Sequence, residues 1–317
     1  MVSFCLSLGL CAFALSLVFC LLLIPLLKRR KVGQEILSYV TEHRQKSGTP
    51  TMGGIAFIAA ATLACLLLIK EKDRLLYVTL AIGFAFLLVG FLDDFLKLRH
   101  KRNEGLKPYQ KIFFQLSVAL IAGVFCFVNG YTLLYIPFTG FAVDIGAFMI
   151  PLSVFVFLAT VNCVNLTDGL DGLAASSCVG YFFCFSLLIV LQGEYLSLAF
   201  VGFALVGALL AFLLFNTNKA SVFMGDTGSL ALGGFAGAVG VFSGNLLAVA
   251  LIGFVFVLSG ITVILQVIYY KCTRRRIFPM APIHHTFQKM GHSEAKISFF
   301  YFLSTLFLGT LVLLFYC

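Results

Sequence analysis

Tryptophan is absent from the sequence, and charge is scarce: only 11% of the residues are Asp, Glu, Lys or Arg. A soluble domain carries roughly 25%, so a water-facing surface cannot be assembled from this chain. No CxxC pair occurs. The ten cysteines are scattered, mostly inside apolar runs (Cys11, Cys20, Cys65, Cys126, Cys184), and read as small hydrophobes rather than a disulfide or zinc framework. There is no Walker motif and no GxGxxG, which excludes a P-loop or Rossmann site.

What is present is apolar: 61% of 317 residues, with mean hydropathy +1.06. The bilayer must be the solvent. Runs long enough to span it fall near 4–27, 52–69, 75–92, 111–129, 145–164, 172–191, 196–215, 228–243, 246–270 and 296–316. The expectation is an all-α polytopic membrane protein of about ten spans, a single integral membrane domain over 1–317. Residues 1–27 carry no charged side chain and Lys28–Lys31 follow, the reverse of a signal peptide. That order predicts a first span with its N-terminus outside.

The net charge of +9 does not point to nucleic acid, because the basic residues lie in short loops. With the N-terminus outside, 19 of the 22 Lys and Arg residues fall in or beside the inner loops. The outer loops keep only Lys70, Lys72 and Arg74. This is the positive-inside bias, and it places both termini on the outer side.

The same sidedness sorts the acids. Asp93 and Asp94 follow span three, with Lys97 at helical i+4 and i+3 spacing. Asp168 and Asp171 follow span five in NLTDGLDG, and Asp226 follows span seven in FMGDTGS. All are cytoplasmic in this topology, whereas Glu71, Asp73, Asp144 and Glu194 are isolated on the outer side. Asp168 could cap span six, but capping leaves Asp171, Asn162 and Asn165 unexplained. Asp226 stands before a helix whose open amides suit phosphate, and a carboxylate there can hold Mg²⁺. His284 and His285 suit phosphate contact or proton transfer. Lys46, Thr49 and Thr51 are candidate phosphate ligands beside the glycines of span two. Carboxylates on several inner loops, with lysine and histidine, suit metal-assisted phosphoryl transfer between a cytosolic and a lipid substrate.

Five ordered segments, KSGTPTMGG, FLDDFLK, NLTDGLDGLA, VFMGDTGSLALGG and APIHHTF, resemble those of the phospho-N-acetylmuramoyl-pentapeptide-transferase family. The resemblance runs from about residue 43 to 292. It implies a phosphotransferase of the bacterial inner membrane that moves phospho-MurNAc-pentapeptide from its UDP carrier to undecaprenyl phosphate. The products are lipid I and UMP, the reaction requires Mg²⁺, and the protein is a homodimer. It further implies Asp226 as the magnesium ligand, Asp93 as base on the lipid phosphate with Asp94 beside it, and Asp168 and Phe223 on the uracil. Lys46, Thr51, Asn165, Asn216, Gln266, His284 and His285 would line the nucleotide and diphosphate site. Thr286 stands where the family often has a third histidine, and Lys219 where proline is common. The resemblance leaves direct transfer and an aspartyl phospho-sugar intermediate equally open.

A GlcNAc-1-phosphate transferase of the same superfamily is the nearest alternative. A transporter or channel would place acids near the bilayer midplane rather than at helix ends. An inert scaffold would leave the clustered carboxylates without a use.

Overall fold

The computed structural model describes residues 1–29, 48–100, 105–217 and 219–316. Twelve α-helices occur among them. They are α1 (Val2–Arg29), α2 (Gly54–Leu68), α3 (Arg74–His100), α4 (Pro108–Val128), α5 (Met149–Thr167), α6 (Leu173–Gln192), α7 (Leu196–Asn216), α8 (Gly225–Phe242), α9 (Leu246–Ile252), α10 (Phe254–Thr273), α11 (Ile283–Lys289) and α12 (Glu294–Tyr316). Helices satisfy every backbone group within the segment, which hydrocarbon demands.

Eight of them are long and apolar enough to cross a membrane, so the chain is a multi-pass membrane protein. Each expected run is helical, with three departures from ten uniform spans, the first being α8, over the run expected at 228–243, which is not among the eight. The α2 helix has only 15 residues. The run at 246–270 is broken: α9 ends at Ile252, and Gly253 stands between it and α10. Helix α9 packs with α12 and α8, while α10 leaves along α5.

The all-α expectation also omits a two-stranded antiparallel hairpin, β1 (Leu133–Ile136) and β2 (Phe141–Asp144), with Leu133 opposite Asp144. Its β-branched and aromatic residues suit a strand, but the segments are too short to show against a background of apolar helices.

Helix α8 is the axis. Every residue from Thr227 to Phe242 is buried, with α3 and α5 packed most extensively against it and α2 alongside. Small residues permit this. A Cβ on Gly54 would strike the Gly228 backbone, and one on Gly90 would strike the Asp226 carbonyl. Close approach of this kind drives association where lipid removes the hydrophobic incentive. Helices α1, α4 and α10 form the rim, with only 28% of each apolar window buried against 78% for α6. Their exposed apolar faces suit contact with lipid.

Candidate active site

The close contact of Gly90 with Asp226 sets the site, because it brings the end of α3 against the start of α8. Asp93 and Asp94 are both buried there. Oxygens of Asp93, Asp94 and Asp226 lie within 4.8 Å of one another. Lys97 Nζ sits 2.6 Å from Asp93 Oδ2 and 3.1 Å from Asp226 Oδ2. Lys111, from the first turn of α4, reaches the same Asp226 oxygen at 2.8 Å. Asn165 Nδ2 donates to Asp226 Oδ1 and to Ser229 Oγ, each at 2.8 Å. Elements α3, α4, α5 and α8 thus each contribute to one polar centre.

The adjacent aspartates do different work. Asp94 caps α8 from outside its own helix. Its Oδ1 accepts from the Asp226 N–H at 3.2 Å, and its Oδ2 from the Thr227 N–H at 2.9 Å and hydroxyl at 2.7 Å. A carboxylate there satisfies open amides and opposes the positive helix end. Asp93 accepts the Leu106 N–H at 2.9 Å on Oδ1 and keeps Oδ2 for Lys97. Thr51 Oγ1 is buried near Gly225, without a hydrogen-bond partner among the described residues.

Asp168 does not cap span six, the structural alternative weighed against a role in the site. Asp168 is the C-cap of α5, Gly172 is the N-cap of α6, and residues 168–172 form turns rather than a helix. The i, i+3 spacing therefore does not align Asp168 with Asp171. Asp168 is only partly exposed at the site edge. Burial pushes its carboxyl well above the usual range, and the Asp226, Asp94 and Asp171 carboxylates add to that. Asp171 is a brace: its Oδ2 accepts the Ala220 N–H at 3.0 Å, and its backbone carbonyl accepts from Ser298 Oγ.

Several residues assigned to substrate also hold loops together. Asn216 accepts the Gly172 N–H and donates to the Val222 carbonyl. Gln266 Oε1 accepts the N–H groups of Ile277 and Phe278. Phe223 is fixed through its backbone, its N–H to Pro50 and its carbonyl from the Gly53 N–H, which leaves a half-exposed ring at the site edge.

The histidines occupy a short helix, α11, and not the loop read from sequence. His284 is fully buried, and neither ring nitrogen has a hydrogen-bond partner among the described residues. Burial, aided by His285, lowers its pKa to about 3. Both imidazoles face the turn of α5–α6: a Cβ on Gly169 would stand 2.6 Å from His284 Nε2 and 2.8 Å from His285 Nε2. Lys46 lies outside the described residues.

Lys111 was missed as a site residue by sequence reasoning, being counted among the basic residues of an inner loop. Thr227 and Ser229 were missed too. The only available signal for Lys111 was its place at the start of a span on the acidic side.

Four helices converging on a carboxylate cluster, with lysines as counter-charges, make the kind of centre a membrane transferase needs. Residues 75–244 match the model of glycosyl transferase family 4. Residues 46–58 match phospho-N-acetylmuramoyl-pentapeptide-transferase signature 1. Among curated relatives, the phospho-N-acetylmuramoyl-pentapeptide-transferase of Clostridioides difficile (strain 630) is 39% identical, over 95% of this chain and 94% of its own length. That of Clostridium novyi (strain NT) is 43% identical over 90% and 89%. That of Bacillus pumilus (strain SAFR-032) is 41% identical over 94% of each. The chain belongs to the phospho-N-acetylmuramoyl-pentapeptide-transferase family and is a transferase.

Proposed function

We infer that the protein transfers phospho-N-acetylmuramoyl-pentapeptide from UDP-MurNAc-pentapeptide to undecaprenyl phosphate, yielding lipid I and UMP. The convergence of Asp93, Asp94 and Asp226 with Lys97 and Lys111 at one end of α3 and α8 carries this reading. Three carboxylates face two ammonium groups, which leaves net negative charge and hard oxygen donors. That donor set fits Mg²⁺. Asp226 would hold the ion, since Asp94 is engaged at the α8 amides and Asp93 is kept for the proton. Bound there, Mg²⁺ supplies neutralisation of diphosphate charge.

The chain's own groups do the rest. Asp93, oriented by the Leu106 N–H, takes the proton of the lipid phosphate. An oxygen of that phosphate attacks the sugar-linked phosphorus, and the bond to UMP breaks as UMP leaves with its electron pair. Lys97 and Lys111 offset the charge developing in that transition state. Asp168 and Phe223 take the uridine, with His284 and His285 opposite and Lys46 and Thr51 on the phosphates.

The positive-inside bias supports a site at the cytosolic face of the inner membrane, with both termini outside. The homodimer follows from the family resemblance alone, and sedimentation in detergent tests it.

Purified protein given radiolabelled UDP-MurNAc-pentapeptide should release UMP only with undecaprenyl phosphate and Mg²⁺ both present, and EDTA should stop it. Preference for UDP-GlcNAc would overturn the assignment in favour of the GlcNAc-1-phosphate reading. A covalent phospho-sugar trapped on Asp93, Asp94 or Asp226 would replace direct displacement with two steps.

A further inference from the structure

A carboxylate, an amide and an imidazole follow one another from α12 to α11. Glu294, in the first turn of α12, accepts the Asp171 N–H on Oε2 at 2.8 Å. Its Oε1 accepts from Gln288 Nε2 at 3.3 Å. Gln288 Oε1 lies 3.3 Å from His285 Nδ1.

The chemistry of these groups orders the chain of bonds. An ionised carboxylate accepts and never donates. The Gln288 amide must therefore turn its NH₂ toward Glu294 and its oxygen toward His285. That oxygen cannot donate either, so the proton belongs on His285 Nδ1. The Nε2 of neutral His285 is then an acceptor, and it is the atom facing the turn at Asp168 and Gly169.

We propose that Glu294 and Gln288 are positioning residues that set the tautomer and ring orientation of His285, so that Nε2 is presented to the substrate site. Glu294 holds both walls of that site at once. Through Gln288 it orients α11, and through the Asp171 N–H it fixes the turn that His285 faces. Asp171 extends the bracing to the α7–α8 loop through Ala220. The effect on turnover rests on the proposed transferase site, whereas the tautomer does not.

Substitution can invert this relay without changing its shape. In Glu294→Gln the new oxygen keeps the Asp171 N–H and the new NH₂ faces Gln288. Gln288 must then present its oxygen to residue 294 and its NH₂ to His285, which moves the imidazole proton to Nε2. Exchanging the pair, Glu294→Gln with Gln288→Glu, restores an acceptor at Nδ1.

The experiment uses the full chain in detergent, labelled with ¹⁵N-histidine, with the His285 signals assigned by their loss in His285→Asn. Wild type should show Nδ1–H, Glu294→Gln should show Nε2–H, and the exchanged double variant should return to Nδ1–H. In the UMP-release assay, kcat should fall about tenfold or more in Glu294→Gln, with KM for the nucleotide within about threefold. The double variant should recover most of it. A His285 tautomer that does not follow the substitutions overturns the proposal, as does a Glu294→Gln enzyme of wild-type kcat. If wild type itself releases no UMP, the transferase reading fails while the spectra still decide the tautomer.

Discussion

The carboxylates at the two ends of the helical bundle are used in opposite ways. At the expected outer end each accepts from hydroxyls or backbone amides. Asp73 caps α3 through the Leu76 N–H at 2.7 Å and takes the Ser197 hydroxyl. Asp144 closes a turn through the Gly146 N–H, and Glu194 accepts the Tyr135 hydroxyl. At the other end Asp93, Asp94 and Asp226 meet across more than 130 positions of sequence, with two lysines between them. Bonds to neutral donors explain a carboxylate by stability alone. Convergence of like charges costs stability unless something holds them together, which is why the proposed site is placed at that end.

Four substitutions break this contrast, in descending order of expected effect. Asp226→Asn should lower UMP release on the order of a hundredfold or more while the protein still inserts and purifies. Wild-type turnover at saturating Mg²⁺ would remove Asp226 from the metal site. Lys111→Met should cost about tenfold or more in kcat/KM, because it strips a counter-charge that touches the same oxygen as Lys97.

The next pair sets the two ends side by side. Asp94→Ala exposes the α8 amides and should cost about 2–3 kcal/mol in thermal unfolding, together with most activity. Asp73→Ala removes a comparable cap at the outer end and should cost only about 1 kcal/mol, with kcat unchanged. Equal losses of activity in the two variants would erase the distinction.

The smallest effect concerns pH. His284 is held neutral down to about pH 3, whereas an unfolded histidine protonates near 6.5. The unfolded state therefore binds more protons between these values, and stability must fall as pH drops below about 6.5. The slope should be at most about 1.4 kcal/mol per pH unit, read as the shift of the unfolding midpoint. His284→Asn should flatten it.

The helices were legible from composition because the bilayer imposes one length and one chemistry on every span. The expected sidedness rests on Lys and Arg counts alone. The acids stood out as exceptions in an apolar chain, and five ordered motifs named their family. Other features left no local trace. The break at Gly253 depends on α9 and α10 packing against different partners. The hairpin is too short to be periodic. Lys111 looked like any basic residue at a membrane surface until α4 brought it to Asp226.

Sequence by itself determined that this chain lives in lipid and that its motifs belong to a transferase family, and it set the expectation of which end bears chemistry. Those follow from residue type and order, since desolvation and charge are properties of the side chains themselves. Only the tertiary structure decided how neighbouring residues divide the work. Asp93 faces Lys97 while Asp94 spends both oxygens on α8. Asp168 borders the site while Asp171 braces loops, and Glu294 reaches His285 through Gln288. Adjacent carboxylates are chemically identical in a sequence, and what separates them is the set of donors that folding brings to each.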